Sequence, residues 1–291
     1  MFFKVILTIF ALILLGYLLA KIKRFDLERV VGPATDILTY VIIPCFVFAA
    51  MLEKKFAFAE FWRIALSAVF VITVMGLVLR YFCRRRGIEF REVCLPVMFM
   101  NSGYLGLPVV FVLLPAGLYA ALIYNITMTM LIFTLGILLV SGGGNFSSAM
   151  KEPVSYVTVL GIVFNLADVN FPPLFLKVLK NVGTVGMPIM LLIIGYQLHF
   201  VKAATIKSGL VASCVRIGGG FVLGVLAVKI FGLTGVAANI VVMISAMPAA
   251  VLGYVFAKKY DAAPEFAASV VLISTAMSIV SIPLVLKFLN I

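Results

Sequence analysis

Runs of about 20 mostly apolar residues, the length that crosses a hydrocarbon core of about 30 Å as an α-helix, recur along this chain between short polar stretches. They fall near 3–21, 33–51, 61–82, 93–113, 117–140, 154–170, 174–198, 207–229, 234–257 and 265–289. The pattern predicts an all-α membrane protein of ten transmembrane helices. The sixth run is short and carries Asn165. The first ends in Lys21, Ile22, Lys23 and Arg24 with no small-residue cleavage motif, and reads as a retained span rather than a signal peptide. The longest connection is the Gly-rich stretch Ser141 to Lys151, so function is expected to reside in the helices.

Landmarks within the apolar runs repeat. Gly16 precedes Pro44 by 28 residues and Gly161 precedes Pro188 by 27; Pro44 precedes Pro108 by 64 and Pro188 precedes Pro248 by 60. Helices two and four thus match helices seven and nine, giving five-helix halves at 1–140 and 154–291 joined by a cytosolic linker at 141–153. An odd number of spans per half predicts that the second is inserted upside down. Helix four carries Asn101-Ser-Gly-Tyr-Leu-Gly-Leu-Pro108, and helix nine carries Ser245-Ala-Met-Pro248. Proline removes a donor and crowds the carbonyl four residues back, here those of Tyr104 and Ile244, while glycine permits backbone angles other residues avoid. Both helices are expected to unwind near mid-span. Such paired interruptions point to a transporter site, since unwound backbone survives in a bilayer only where it faces protein or a cavity.

Composition agrees with a lipid environment: of 291 residues, 64% are hydrophobic and 12% charged, against about 45–50% and about 25% in soluble domains. A net charge of +12 suggests nucleic acid in a soluble protein. Here the positive-inside rule accounts for it without nucleic acid. Alternating the loops assigns fourteen basic residues to one face, among them the CRRRG turn at 83–87, and eight to the other, with Arg216 left inside a span. Both termini are therefore expected outside and the CRRRG turn in the cytoplasm. Lys177 and Lys180 fall on the less basic face, where long side chains can snorkel.

The chemistry available inside the spans is narrow. Cys45, Cys83, Cys94 and Cys214 have no CxxC spacing and there is one histidine, so neither a metal site nor a cofactor is expected. The N-terminal ends of the second half-helices present free amides and about half a positive charge to the space between them, which suits an anion, while the C-terminal ends of the first halves carry the opposite partial charge and leave a cation there open. Asn101, Ser102 and Asn125 are candidate side-chain donors, with Tyr104 and Tyr124 as walls or packing residues. Asp36 reads as a helix cap, Asp168 as a helix-end residue and His199 as interfacial. Arg216 has two readings: a functional intramembrane charge, or a staple for carbonyls freed by a broken helix. An intramembrane enzyme needs paired aspartates or a Ser–His pair, and the spans supply neither. A channel is a weaker alternative.

Four stretches resemble the auxin efflux carrier family, which includes bacterial carriers and the plant PIN-formed transporters. They are NSGYLGLP at 101–108, MPIMLLIIGYQL at 187–198, VRIG around Arg216, and MPAAVLGYVFAKKYDAAPEFAASVVLISTAMSIVSIPL at 247–284. The resemblance implies five-plus-five inverted repeats, as in bile-acid sodium symporters, with helices four and nine crossing at the substrate site. It implies elevator-type alternating access in the cytoplasmic membrane, with helices 3–5 and 8–10 moving against a scaffold of helices 1, 2, 6 and 7, often in a homodimer formed through the scaffold. The substrates implied are organic anions, among them malate, malonate and indole-acetate. Carried over by motif, Asn101, Ser102, Gly103, Tyr104, Leu105, Gly106, Pro108, Ser245, Met247 and Pro248 would line the site, with Asn125 from helix five. The long cytosolic loop of most plant members is absent and Tyr104 stands where another polar residue is frequent, which favours a small carboxylate over auxin. A sodium-coupled symporter is the nearest alternative; its cation sites use acidic and amide side chains, and no acidic candidate lies mid-span.

Overall fold

A computed structural model describes residues 2–22, 28–52, 58–141, 153–200 and 206–291. The linker placed at 141–153 falls almost wholly outside the described residues, as do Lys23, Arg24, Lys54, Lys55, Lys151 and Lys202 from the charge count. The described residues are helical apart from turns, short connections and one isolated antiparallel bridge between Met100 and Ala249.

Among the described residues the helices group into ten stretches. Helix α1 is Phe2–Lys21, and α2 covers 28–52 as Glu28–Ile37, a π turn Leu38–Ile42 and Ile43–Leu52. Helix α3 is Phe58–Arg86. Helix α4 is broken into α4a, Phe90–Met98, and α4b, in which a π turn Ser102–Gly106 leads into Leu107–Leu113. Helix α5 runs over 118–141 with a π turn at Ile132–Gly136. Helices α6 and α7 are Pro153–Leu166 and Pro173–Phe200. Helix α8 is Ile206–Cys214, a π turn Val215–Gly219 and Gly220–Ile230. Helix α9 is broken into α9a, Gly235–Ser245, and α9b, Val251–Lys259; α10 is Pro264–Phe288.

Five of these segments are long and apolar enough to cross a membrane: Glu60–Arg86, Pro115–Ser141, Pro173–Ile193, Ile206–Ile230 and Pro264–Phe288. No more than half of any of them is buried inside the protein. The remaining surface is strongly apolar, with Leu77, Phe82, Val211, Val280 and Leu284 all exposed. A belt of this kind is stable against lipid and not against water.

Two of the π turns end two residues before a proline, Pro44 and Pro108. Proline cannot donate to the preceding turn, and a wider π turn absorbs the mismatch without ending the helix. The break in α4 is therefore not where proline and glycine spacing puts it: residues 102–106 stay wound, Pro108 continues into α4b, and the residues outside the helix are 99–101. The break in α9 covers 246–250, and the carbonyl of Ile244 is not freed, since it accepts from Met247 N–H at 3.0 Å.

Packing falls into two sets of neighbours. Helix α7 lies along α1 and α2, and α2 lies along α6. The closest approach is backbone to backbone: a Cβ at Gly16 would sit 2.1 Å from the carbonyl oxygen of Leu192, and one at Gly195 would sit 1.8 Å from that of Ile13. Only glycine permits this contact. Helices α3, α5 and α8 to α10 pack around the two breaks, and α4b and α5 carry contacts between the two sets.

Candidate crossover site

The two breaks lie on one another. Asn101 N–H donates to Pro248 O at 2.7 Å and Ala250 N–H donates to Phe99 O at 3.0 Å, the two bonds flanking the Met100–Ala249 bridge. Each extended stretch thus supplies hydrogen bonds that the other lost on leaving the helix. Nearby side chains take further groups: Ser274 Oγ on α10 accepts from Ala249 N–H at 3.0 Å, and Asn101 Oδ1 caps α4b by accepting from Leu105 N–H at 3.3 Å. In a site closed to water, each group left unmade would cost about 1–3 kcal/mol.

The crossing separates two kinds of helix end. On one side are the last carbonyls of α4a and α9a. Arg216, fully buried, donates from Nη1 to Val97 O at 3.0 Å and Met98 O at 2.6 Å, and from Nη2 to Ser245 O at 2.7 Å. Arg216 thus joins the last carbonyls of α4a and α9a. Ser245 is held a second time, its Oγ within 2.8 Å of the hydroxyl of buried Tyr124. Helix α8 reaches this point because residue 220 is glycine: a Cβ there would lie 2.0 Å from Ser245 O and 2.1 Å from Arg216 Nη2.

On the other side are the first turns of α4b and α9b, whose amides are partly taken: Ser102 N–H donates to Met100 O at 2.9 Å, Leu105 N–H to Asn101 Oδ1 at 3.3 Å and Gly253 N–H to Ala250 O at 3.0 Å. They border a cavity of about 220 Å³ lined by Met100, Asn101, Ser102, Gly103, Tyr104 and Leu107 of α4, and by Ala250, Val251 and Leu252 of α9. Asn125, Met128, Thr129 and Phe133 of α5, Ile43 of α2 and Met190 of α7 complete it. No lining residue is charged. Ser102 Oγ donates to Asn125 Oδ1 at 2.7 Å, which turns the Asn125 carboxamide by its oxygen and leaves its NH₂ for another partner. The Nδ2 of Asn101 is buried with no hydrogen-bond partner. Gly103 keeps this corner open, since a Cβ there would come within 3.1 Å of Asn125 Oδ1. The cavity therefore presents backbone and carboxamide donors at one end and thioethers and rings along its sides.

Of the residues expected at the site, Asn101, Ser102, Gly103, Tyr104 and Asn125 line this cavity. Leu105 and Gly106 are buried outside its lining, and Met247 packs near Gly106, its Cγ 3.8 Å from a Cβ built there. Pro248 contributes its carbonyl to the crossing, and Ser245 belongs to the Arg216 side. Pro108 borders a different cavity, shared with Thr8 and Ile9 of α1 and Pro188 of α7. Met128, Thr129 and Phe133 were not singled out in the sequence, yet they stand three, four and eight residues beyond Asn125, on the same face of α5. That spacing was the available signal. Ile43 and Met190 had none, because helices far apart in sequence bring them in. Asp36 and Asp168 are exposed, and His199 stacks edge-on against Tyr17 at 5.3 Å. Among the described residues no three histidine, cysteine, aspartate or glutamate side chains gather as a metal site requires.

A larger groove of about 730 Å³ lies between α3, α4a, α8 and α10. Its walls are mainly apolar and it borders neither second half-helix, so size does not make it the stronger candidate.

Residues 145–286 match a family described as membrane transport proteins. The chain is also 27% identical over 300 residues to an uncharacterized transporter of Methanothermobacter thermautotrophicus, an alignment that covers 97% of this chain and 96% of that protein.

Proposed function

We propose that this chain, which matches a family of membrane transport proteins, is a secondary carrier of the auxin efflux carrier type, moving a small organic anion, a carboxylate, across the cytoplasmic membrane. The observation that carries this reading is the uncharged cavity at the crossing, bordered by the first turns of two half-helices and by Asn101, whose Nδ2 is buried with no hydrogen-bond partner. Each helix end contributes about 0.3–2 kcal/mol toward an anion. Millimolar affinity already requires about 4 kcal/mol, so side-chain donors have to supply the rest, and Asn101 is positioned to do so. A carboxylate accepts several N–H donors at once, and its remaining atoms fit the thioethers and rings of Met128, Met190 and Phe133. The volume of about 220 Å³ is below the roughly 300–1,000 Å³ of pockets for drug-sized ligands. It favours a solute of a few heavy atoms over a steroid acid, and so favours this reading over a bile-acid-type symporter.

The proposed cycle is elevator-type alternating access, with α3–α5 and α8–α10 moving against a scaffold of α1, α2, α6 and α7, and with 1–140 and 154–291 as inverted repeats. The two sets of packing neighbours support it, because α4b and α5 carry contacts between them. Pairing of two copies through the scaffold and an external position for both termini belong to the same proposal.

Thermal unfolding of the purified protein against a panel of small mono- and dicarboxylates tests the anion, since a ligand that binds only the native state raises the midpoint. At least one carboxylate is expected to raise it, and that compound is expected to show saturable uptake and counterflow in liposomes. A panel without effect overturns the carboxylate, and single-channel current steps overturn the carrier.

A further inference from the structure

The carbonyl side of the crossing is where a carrier with broken helices holds its coupling ion. Half-helix C-termini and unwound carbonyls carry partial negative charge, and in such carriers they coordinate Na⁺ or H⁺. In this chain the last carbonyls of α4a, those of Val97 and Met98, and the last carbonyl of α9a, that of Ser245, converge on the guanidinium of Arg216 at 2.6–3.0 Å. All three are main-chain oxygens, the ligand type a hard monovalent cation takes, and no carboxylate is among the hydrogen-bond partners of Arg216. The side chain is fully buried, and it does not line the anion cavity. Its helix is shaped to deliver it: the π turn Val215–Gly219 carries it, and Gly220 leaves room for Nη2 beside Ser245 O.

We propose that Arg216 is a tethered replacement for a coupling cation. Its guanidinium joins the C-terminal ends of both first half-helices as a bound ion does, so the crossing is assembled without an ion from solution. Removing the side chain opens a site of three converging carbonyls whose ligand is a small monovalent cation. The consequence for coupling rests on the carrier reading above; the occupancy of the site by Arg216 does not.

The test needs no substrate, so an unproductive carboxylate screen leaves it intact. Thermal midpoints of wild type, Arg216→Ala, Arg216→Gln and Arg216→Lys are compared in sodium, potassium and choline chloride at equal ionic strength, and with millimolar methylguanidinium. The wild-type midpoint is expected to be the same in all salts. Arg216→Ala and Arg216→Gln are expected to fall, and sodium or methylguanidinium to restore at least half of the loss while choline restores none. Arg216→Lys keeps a point charge and is expected to lie above Arg216→Gln and to be indifferent to sodium. If Arg216→Ala does not fold, the comparison of lysine with glutamine decides. A purely structural staple leaves both neutral variants equally low in every salt and unrescued, and that result overturns the proposal. So does a wild-type midpoint that depends on sodium, or glutamine performing as well as lysine.

Discussion

Asn101 does two jobs with one carboxamide. Its Oδ1 caps α4b through Leu105 N–H, which fixes the orientation of the group and leaves Nδ2 buried without a partner. Losing the cap alone costs about 1 kcal/mol, whereas a hydrogen bond to a charged ligand is worth about 1.5–3 kcal/mol. Asn101→Ala is therefore expected to weaken anion binding about tenfold or more, with a smaller loss of stability; ligand titration and thermal unfolding of the same sample separate the two. Asn101→Asp keeps the capping oxygen and sets a negative charge beside the ligand, so it is expected to abolish anion binding while the fold survives. The sequence disclosed Asn101 readily, as a polar residue beside two glycines and a proline in an apolar run. It could not assign the two ends of the carboxamide, because the cap depends on how the chain leaves the break.

At the scale of the helix, the crossing depends on close approach as much as on proline. A Cβ at Gly220 would meet the main-chain oxygen of Ser245, which cannot rotate away, whereas one at Gly218 meets nothing within 4 Å. Gly220→Val is expected to destabilise by about 1–3 kcal/mol and Gly218→Ala to be nearly neutral, measured as thermal midpoints. Pro248→Ala retains the carbonyl that accepts from Asn101 N–H. It adds a new buried N–H and loosens the backbone, so transport is expected to fall more than folded yield. Wild-type transport in this variant would make the proline dispensable to the cycle. The sequence located both interruptions to within a few residues through proline and glycine. It misplaced the first, because a π turn at 102–106 absorbs Pro108 and moves the opening to 99–101.

For the whole molecule, sodium independence of uptake is the expected outcome, since no charged side chain lines the cavity and Arg216 holds the carbonyl ends. Uptake that vanishes when choline replaces sodium would overturn it. Reporter fusions at both termini are expected to read as extracytoplasmic; a cytoplasmic reading at either end would break the charge-derived topology. The amphiphilic pattern, the helical class and the two interruptions were set by the sequence alone, because apolar length and the lack of a proline donor are local properties that need no partner. The antiparallel pairing of 99–101 with 248–250, the reach of Arg216 to carbonyls more than a hundred residues away, and the entry of Ile43 and Met190 into the cavity were decided only by the tertiary structure. Each is a contact between segments distant in the chain, and its register follows from how glycine-faced helices close on one another, a property that no single segment carries.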